Sequence, residues 1–145
     1  MPCVLRRINE VQIRRQKIEK GAIMNQDKPV LVVDDDPEIR EIIATLLEHD
    51  GYRVESASNG AEALDKADEH QPRAVILDAM MPVMDGWDFL ARWHTRPAEQ
   101  RAPVLVVSCL RDWRRAFDLG AKGYLSKPFD LDTLETTLAG ILSAA

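Results

Sequence analysis

The stretch Val30-Leu-Val-Val-Asp-Asp-Asp-Pro-Glu-Ile-Arg-Glu-Ile-Ile-Ala-Thr-Leu-Leu47 decides the fold class. Its first four residues are aliphatic without alternation, the pattern of a strand covered on both faces. Three aspartates follow, then a proline. Asp36 is the expected N-cap of a helix, and Pro37 suits the first helical position, where its missing N–H costs nothing. Ile39, Ile42, Ile43, Leu46 and Leu47 then recur at the spacing of one helical face, and Gly51 ends the helix. A buried strand passing directly into an amphipathic helix is one βα unit.

The same unit recurs downstream. Strands are predicted at Ala74–Leu77, Val104–Val107 and Gly123–Leu125, with a weaker one at Arg53–Ala57. Helices are predicted over Asn59–His70 (Ala61, Leu64, Ala67), Trp87–His94 (Phe89, Leu90, Trp93) and, shorter, Asp112–Leu119. Leu131, Leu134, Leu138 and Ile141 mark a closing helix. Five βα units in succession predict an α/β three-layer sandwich, because right-handed crossovers place helices on both faces of a parallel sheet. Ligands of such sheets bind beyond the carboxyl ends of the strands.

Composition agrees with one folded domain. The chain has 145 residues, 46% apolar and 30% charged, with seven Gly and eight Pro. The longest run without a charged residue, Thr136–Ala145, is half of what a membrane span requires. Arg6 and Arg7 interrupt the N-terminus before any apolar signal region forms, so a cytoplasmic location is expected. Cys3 and Cys109 fit neither a disulfide framework nor a metal motif and are expected as free thiols.

Charge divides the chain in two. Residues 1–24 carry Arg6, Arg7, Arg14, Arg15, Lys17 and Lys20 against Glu10 and Glu19, a net of +4, whereas the remainder carries −9. An acidic body is repelled by nucleic acid phosphates, so direct nucleic acid binding is not expected, nor is a membrane. Residues 1–27 read as a basic extension and 28–145 as the domain. Within the extension Val4, Ile8, Val11, Arg15, Ile18 and Ala22 follow 4-3-4-3-4 spacing, a thin helical stripe with one interruption. Two readings stay open: a frayed arm upstream of a start at Met24, or a helix that docks or makes a homodimer.

The strand ends collect the chemistry. Asp34, Asp35 and Asp36 follow the first strand, Asp78 the third, Ser108 the fourth, and Lys127-Pro128 the fifth. Carboxylates this close raise each other's pKa unless a cation lies among them. Mg²⁺ suits one or two carboxylates with a phosphate oxygen; Lys127 and Ser108 suit the remaining phosphoryl oxygens. A carboxylate in this setting is a candidate nucleophile for an aspartyl phosphate. His49, His70 and His94 fall at helix ends without ligand partners around them, and Trp87, Trp93 and Trp113 read first as packing residues.

Leu31-Val-Val-Asp-Asp-Asp-Pro37, Val75-Ile-Leu-Asp-Ala-Met-Met-Pro-Val-Met-Asp-Gly86, Pro103-Val-Leu-Val-Val-Ser-Cys109 and Gly123-Tyr-Leu-Ser-Lys-Pro-Phe129 together resemble the signature blocks of two-component response regulator receiver domains, over about residues 28–143. The resemblance implies a flavodoxin-like (βα)5 fold with strand order 2-1-3-4-5. It implies that Asp78 is the phosphoacceptor, served by a sensor histidine kinase or phosphotransfer protein. It further implies that Asp34, Asp35, Asp78 and the Met80 backbone carbonyl hold Mg²⁺. Lys127 and Ser108 then bind phosphoryl oxygens, and Ser108 and Tyr124 form the switch toward a downstream protein target. Such a domain is a signalling phosphoacceptor and not an enzyme acting on other molecules. No effector domain follows the closing helix, so a stand-alone receiver and a piece of a longer regulator are both open.

Two alternatives compete. A haloacid-dehalogenase-like phosphatase would use Asp34 as nucleophile and Asp36 as its partner, but Glu38 stands where Thr or Val belongs and there is no room for a cap domain. A pseudo-receiver would bind without phosphate turnover, although every chemical position is filled here. One departure from the family pattern stands out: only fifteen residues separate Ser108 from Tyr124, which predicts a shortened fourth helix or preceding loop.

Overall fold

The computed structural model describes residues 28–144; the expectations for the basic extension and Cys3 fall outside them. Five strands, β1 (Val30–Val33), β2 (Val54–Ala57), β3 (Ala74–Asp78), β4 (Val104–Ser108) and β5 (Gly123–Ser126), form one parallel sheet in the order β2-β1-β3-β4-β5. Helices α1 (Pro37–His49), α2 (Gly60–His70), α3 (Gly86–Trp93), α4 (Trp113–Asp118) and α5 (Leu131–Ala144) cover its two faces. This is the flavodoxin-like arrangement that the sequence implies. A 3-10 turn at Ala98–Gln100 was not expected from the pattern.

The strands sort their side chains with a period of two into separate cores. Val30, Val32, Ala74, Ile76, Leu105 and Val107 meet Ile43 and Leu47 of α1 and Leu134 and Leu138 of α5. Leu31, Val33, Val75, Leu77, Val104 and Val106 meet Ala63, Ala67, Phe89, Leu90, Trp93 and Ala116 on the opposite face. Each buried Leu or Phe contributes about 1.5–3 kcal/mol, so the layers hold the central strands on both sides. Continuous coverage applies to β1, β3 and β4. The edge strands β2 and β5 are half-buried over most of their length, because each has a neighbour on one side only.

Local signals set the helix starts. The Asp36 carboxylate accepts the Glu38 amide at 2.9 Å, Asn59 accepts that of Glu62 at 2.9 Å, and Asp85 accepts that of Asp88 at 2.9 Å. Glu62 reaches back to the Ser58 amide and hydroxyl, at 3.0 and 2.6 Å, and these bonds hold its carboxyl below the usual range. α1 runs out at Asp50, and Gly51 takes φ +96. α4 has six residues, as the short Ser108–Tyr124 interval requires. Trp87 and Trp93 are buried, the latter donating to the Ala102 carbonyl at 3.0 Å, but Trp113 on α4 is 49% exposed. For that tryptophan the packing expectation fails, because a helix this short leaves one side without a neighbour.

Candidate functional site

Sheet register brings the chemical residues together. Val33 pairs with Leu77, so Asp34 and Asp78 are the next residues on adjacent strands. Asp78 pairs with Val107, which precedes Ser108, and Ser108 pairs with Ser126, which precedes Lys127. Four segments distant in sequence thereby end at one edge. The Lys127 amide donates to the Ser108 carbonyl at 2.9 Å, and the Lys127–Pro128 peptide is cis.

The Lys127 ammonium lies between two carboxylates, 2.8 Å from Asp34 Oδ2 and 3.2 Å from Asp78 Oδ2. Carboxylate oxygens of Asp34, Asp35 and Asp78 fall within 4.8 Å of one another. Asp34 and Asp78 are buried and Asp35 is exposed, which gives the cluster an open side. Three acids and one amine leave excess negative charge, and this donor set fits a hard divalent cation.

Electrostatics follow from burial. Burial pushes the Asp78 carboxyl above the usual aspartate range, and the Asp34 charge adds to this; the Met80 amide, at 3.1 Å, and Lys127 offset it in part. Burial alone would lower Lys127, but its bonds and charge interactions with Asp34 and Asp78 outweigh this and raise it. Lys127 is therefore fully protonated at neutral pH.

The remaining predicted residues also arrive. Ser108 is fully buried, and its hydroxyl accepts the Leu110 amide at 3.1 Å. Met80 stands at the mouth, 57% exposed, while Leu110 packs against the core layer of α2 and α3. Tyr124 packs on that layer, with its hydroxyl buried and lacking a hydrogen-bond partner among the described residues. Asp36 is a helix cap, not part of the cluster, as expected of it. Cys109 is exposed and free, beside Ile39, Ile43 and Lys127.

Two supports were missed in the sequence. Arg40 Nη1 donates to the Asp34 carbonyl at 2.7 Å and anchors the loop that carries the acids; its place one turn after Asp36 is the only local sign. Gly86 donates its amide to the Ala79 carbonyl at 3.0 Å, directly behind Asp78. Its need to be glycine is set by a neighbour eight residues away.

Known proteins share this sequence and fold. Response regulator Rre1 of Synechocystis sp. is 36% identical over 118 residues, which are 79% of this chain and 51% of that protein. Response regulator MprA of Mycobacterium sp. (strain KMS) is 38% identical over 116 residues, 78% of this chain and 50% of that one. The chain thus spans about half the length of these curated relatives. The solved structure of chemotaxis protein CheY4 of Vibrio cholerae superposes with a TM-score of 0.71 at 35% identity, covering 79% of this chain and 98% of that one. A signal receiver domain from Bermanella marisrubri gives 0.74 at 35%, covering 80% and 98%. A family model described as the response regulator receiver domain matches residues 30–139, and the chain belongs to that family of two-component signalling domains.

Proposed function

We propose that Asp78 accepts a phosphoryl group, with Mg²⁺ bound, and that the resulting change of conformation controls a protein partner. The observation that carries this reading is the Lys127 ammonium held between Asp34 and Asp78 at 2.8 and 3.2 Å, beside a third carboxylate. Asp34, Asp35, Asp78 and the Met80 backbone carbonyl would hold the cation, which when bound neutralises charge on the phosphoryl oxygens. A carboxylate oxygen of Asp78 attacks phosphorus of a phosphohistidine in a sensor kinase or phosphotransfer protein. The P–N bond breaks, and its electron pair stays with the imidazole, which takes up a proton. Lys127 offers a full positive charge to one phosphoryl oxygen and Ser108 a hydroxyl to another. The phosphoryl group draws Ser108 toward it, and Tyr124, whose buried hydroxyl has no hydrogen-bond partner among the described residues, follows into the vacated space.

The domain acts on itself alone, as a signalling phosphoacceptor and not as an enzyme. Its acidic body favours a protein target over direct contact with DNA, and a cytoplasmic setting suits a partner kinase. Among the described residues no helix is long and apolar enough to cross a membrane. Incubation with Mg²⁺ and a small acyl phosphate, followed by intact mass measurement and peptide mapping, tests the reading. One phosphoryl group on Asp78, lost in Asp78→Asn, is expected. An adduct on Asp34 would support the phosphatase alternative instead, and no adduct with Mg²⁺ present would favour a pseudo-receiver.

A further inference from the structure

At the amino end of the sheet, opposite Asp78, a cavity of about 370 Å³ collects positive charge. Four cations line it from separate segments: Lys28 ahead of β1, Arg73 ahead of β3, Arg96 after α3, and Arg101 between the 3-10 turn and β4. Two carboxylates line it too, Asp68 and Glu99, and Asp68 is engaged by Arg96 at 2.6 Å. A surplus of two positive charges thus stands in a domain whose net charge is negative. Among the described residues no carboxylate lies within 4.0 Å of the Lys28, Arg73 or Arg101 cation. Arg73 carries a further sign. Its Nε is buried and has no hydrogen-bond partner among the described residues, while its guanidinium lies 5.1 Å from the Tyr52 ring centre. A buried donor left unpaired loses its hydration with nothing in exchange, so this position requires an acceptor that the described residues do not supply. Arg101 gives one N–H to the His94 carbonyl at 3.3 Å and retains its others. The backbone beneath is fixed. The Arg73 amide donates to the Pro29 carbonyl at 2.8 Å and that of Val75 to the Pro103 carbonyl at 2.9 Å, which ties the bases of β1, β3 and β4 together.

We propose that this cavity binds a small phosphate ester, with Lys28, Arg73 and Arg101 around the phosphate. A phosphate monoester dianion matches the surplus of two charges and offers three terminal oxygens, whereas a single carboxylate offers two oxygens and one charge. Guanidinium groups bind such oxygens through paired N–H contacts, and an ammonium binds them as a point charge. Arg96 walls the cavity: it is held by Asp68 and lies over the Trp93 ring, 4.6 Å from its centre. Size limits the rest of the ligand. A volume of about 370 Å³ stands at the low end of the roughly 300–1,000 Å³ of small-molecule sites, room for a sugar phosphate. Arg73 precedes β3 and Asp78 ends it, so the two lie roughly 16 Å apart and an occupant leaves Asp78 open to its phosphodonor. Occupancy of this site goes beyond the phosphoacceptor reading and is independent of it.

Nuclear magnetic resonance titration of the full, nitrogen-15-labelled chain with ribose 5-phosphate tests it, in EDTA so that the acidic cluster holds no cation. Saturable shifts of the Lys28, Arg73 and Arg101 backbone amides are expected, with a Kd below about 1 mM, and none at Asp34, Asp78 or Ser108. Lys28→Gln, Arg73→Gln and Arg101→Gln should each weaken binding about tenfold, the loss of one charge-assisted contact. Lys28 and Arg101 are partly exposed, so their variants should keep the far-ultraviolet circular dichroism of the domain and decide the matter even if Arg73→Gln unfolds it. Arg114→Gln, the same change of charge on α4, should leave the affinity unchanged. Succinate, a dianion without phosphate, should bind about tenfold more weakly than the sugar phosphate. The proposal is overturned by a titration that does not saturate, by unchanged affinity in Lys28→Gln and Arg101→Gln, or by an equal loss in Arg114→Gln. Succinate binding as tightly as the sugar phosphate, or shifts confined to residues 1–24, overturns it as well.

Discussion

Gly86 lies against the backbone of Asp78: a Cβ at position 86 would come 2.3 Å from the Asp78 carbonyl oxygen and 2.8 Å from the Ala79 Cα. Both neighbours are main chain, so no rotamer change relieves the clash. Gly86→Ala must displace either α3 or the end of β3. A loss of about 1–3 kcal/mol in urea denaturation is expected, together with slower phosphoryl uptake, because the displaced strand end carries the nucleophile.

The cost of ionising Asp78 predicts a pH-dependent gain on its removal. Its folded pKa is raised, by burial first, so the folded state holds the proton to higher pH than the unfolded chain does. Its ionisation therefore opposes folding, fully above the folded pKa and not at all below the ordinary aspartate range. Asp78→Asn should raise Tm at pH 7 without divalent cations by roughly 2–8 °C, the range that about 1 kcal/mol gives in small domains. Thermal scans should have the two curves converge below about pH 4.

Cation binding reverses that order. Mg²⁺ at a hundredfold excess over its Kd should stabilise the parent by about 2.7 kcal/mol. Asp35→Asn should fold normally, since Asp35 is exposed and the helix that follows it is capped by Asp36, yet need at least tenfold more Mg²⁺ for the same shift in Tm. Equal Mg²⁺ titrations of the two proteins would remove Asp35 from the ligand set.

Persistence of the phosphoryl group depends on water near Asp78. Met80 is exposed at the mouth and Leu110 follows two residues after Ser108. Neither side chain can orient a water in line with the carboxylate–phosphorus bond. Decay should be slow in the parent and roughly tenfold faster when Met80→Asn is combined with Leu110→Glu, a modest share of what positioned acid–base groups supply. Loss of the phosphoryl group from purified protein measures this directly, and equal rates would defeat the argument.

α4 offers the fifth test. Trp113 meets Phe117 edge-on with ring centroids 6.5 Å apart, and the Arg114 guanidinium lies 5.1 Å from the Trp113 ring centre. Exposed aromatic and arginine side chains on an unusually short helix suit recognition of a protein target. Trp113→Ala should change stability by less than about 1 kcal/mol, since half the ring is already in water, while weakening capture of the target at least tenfold in a pull-down with phosphorylated protein.

Continuous aliphatic runs, one proline after three aspartates and the helical spacing of Ile39 to Leu47 determine the βα repeat without reference to anything distant, because these are properties of neighbouring residues. The strand-end residues Asp34, Asp78, Ser108 and Lys127 were legible for the same reason: each follows a run of apolar residues. Tertiary structure decided the rest. Val75 and Leu77 look like Ala74 and Ile76 in sequence, and only the helices packed on each face decide which pair belongs to which core. Three tryptophans look alike too, yet Trp87 and Trp93 are enclosed by neighbouring elements while Trp113 is not. Lys127 reaches an aspartate 93 positions earlier because parallel register aligns strand ends that chain distance does not relate. Gly86 has to be glycine because the Asp78 backbone comes within contact of it. These facts arise from packing between segments, and no local pattern of residues encodes them.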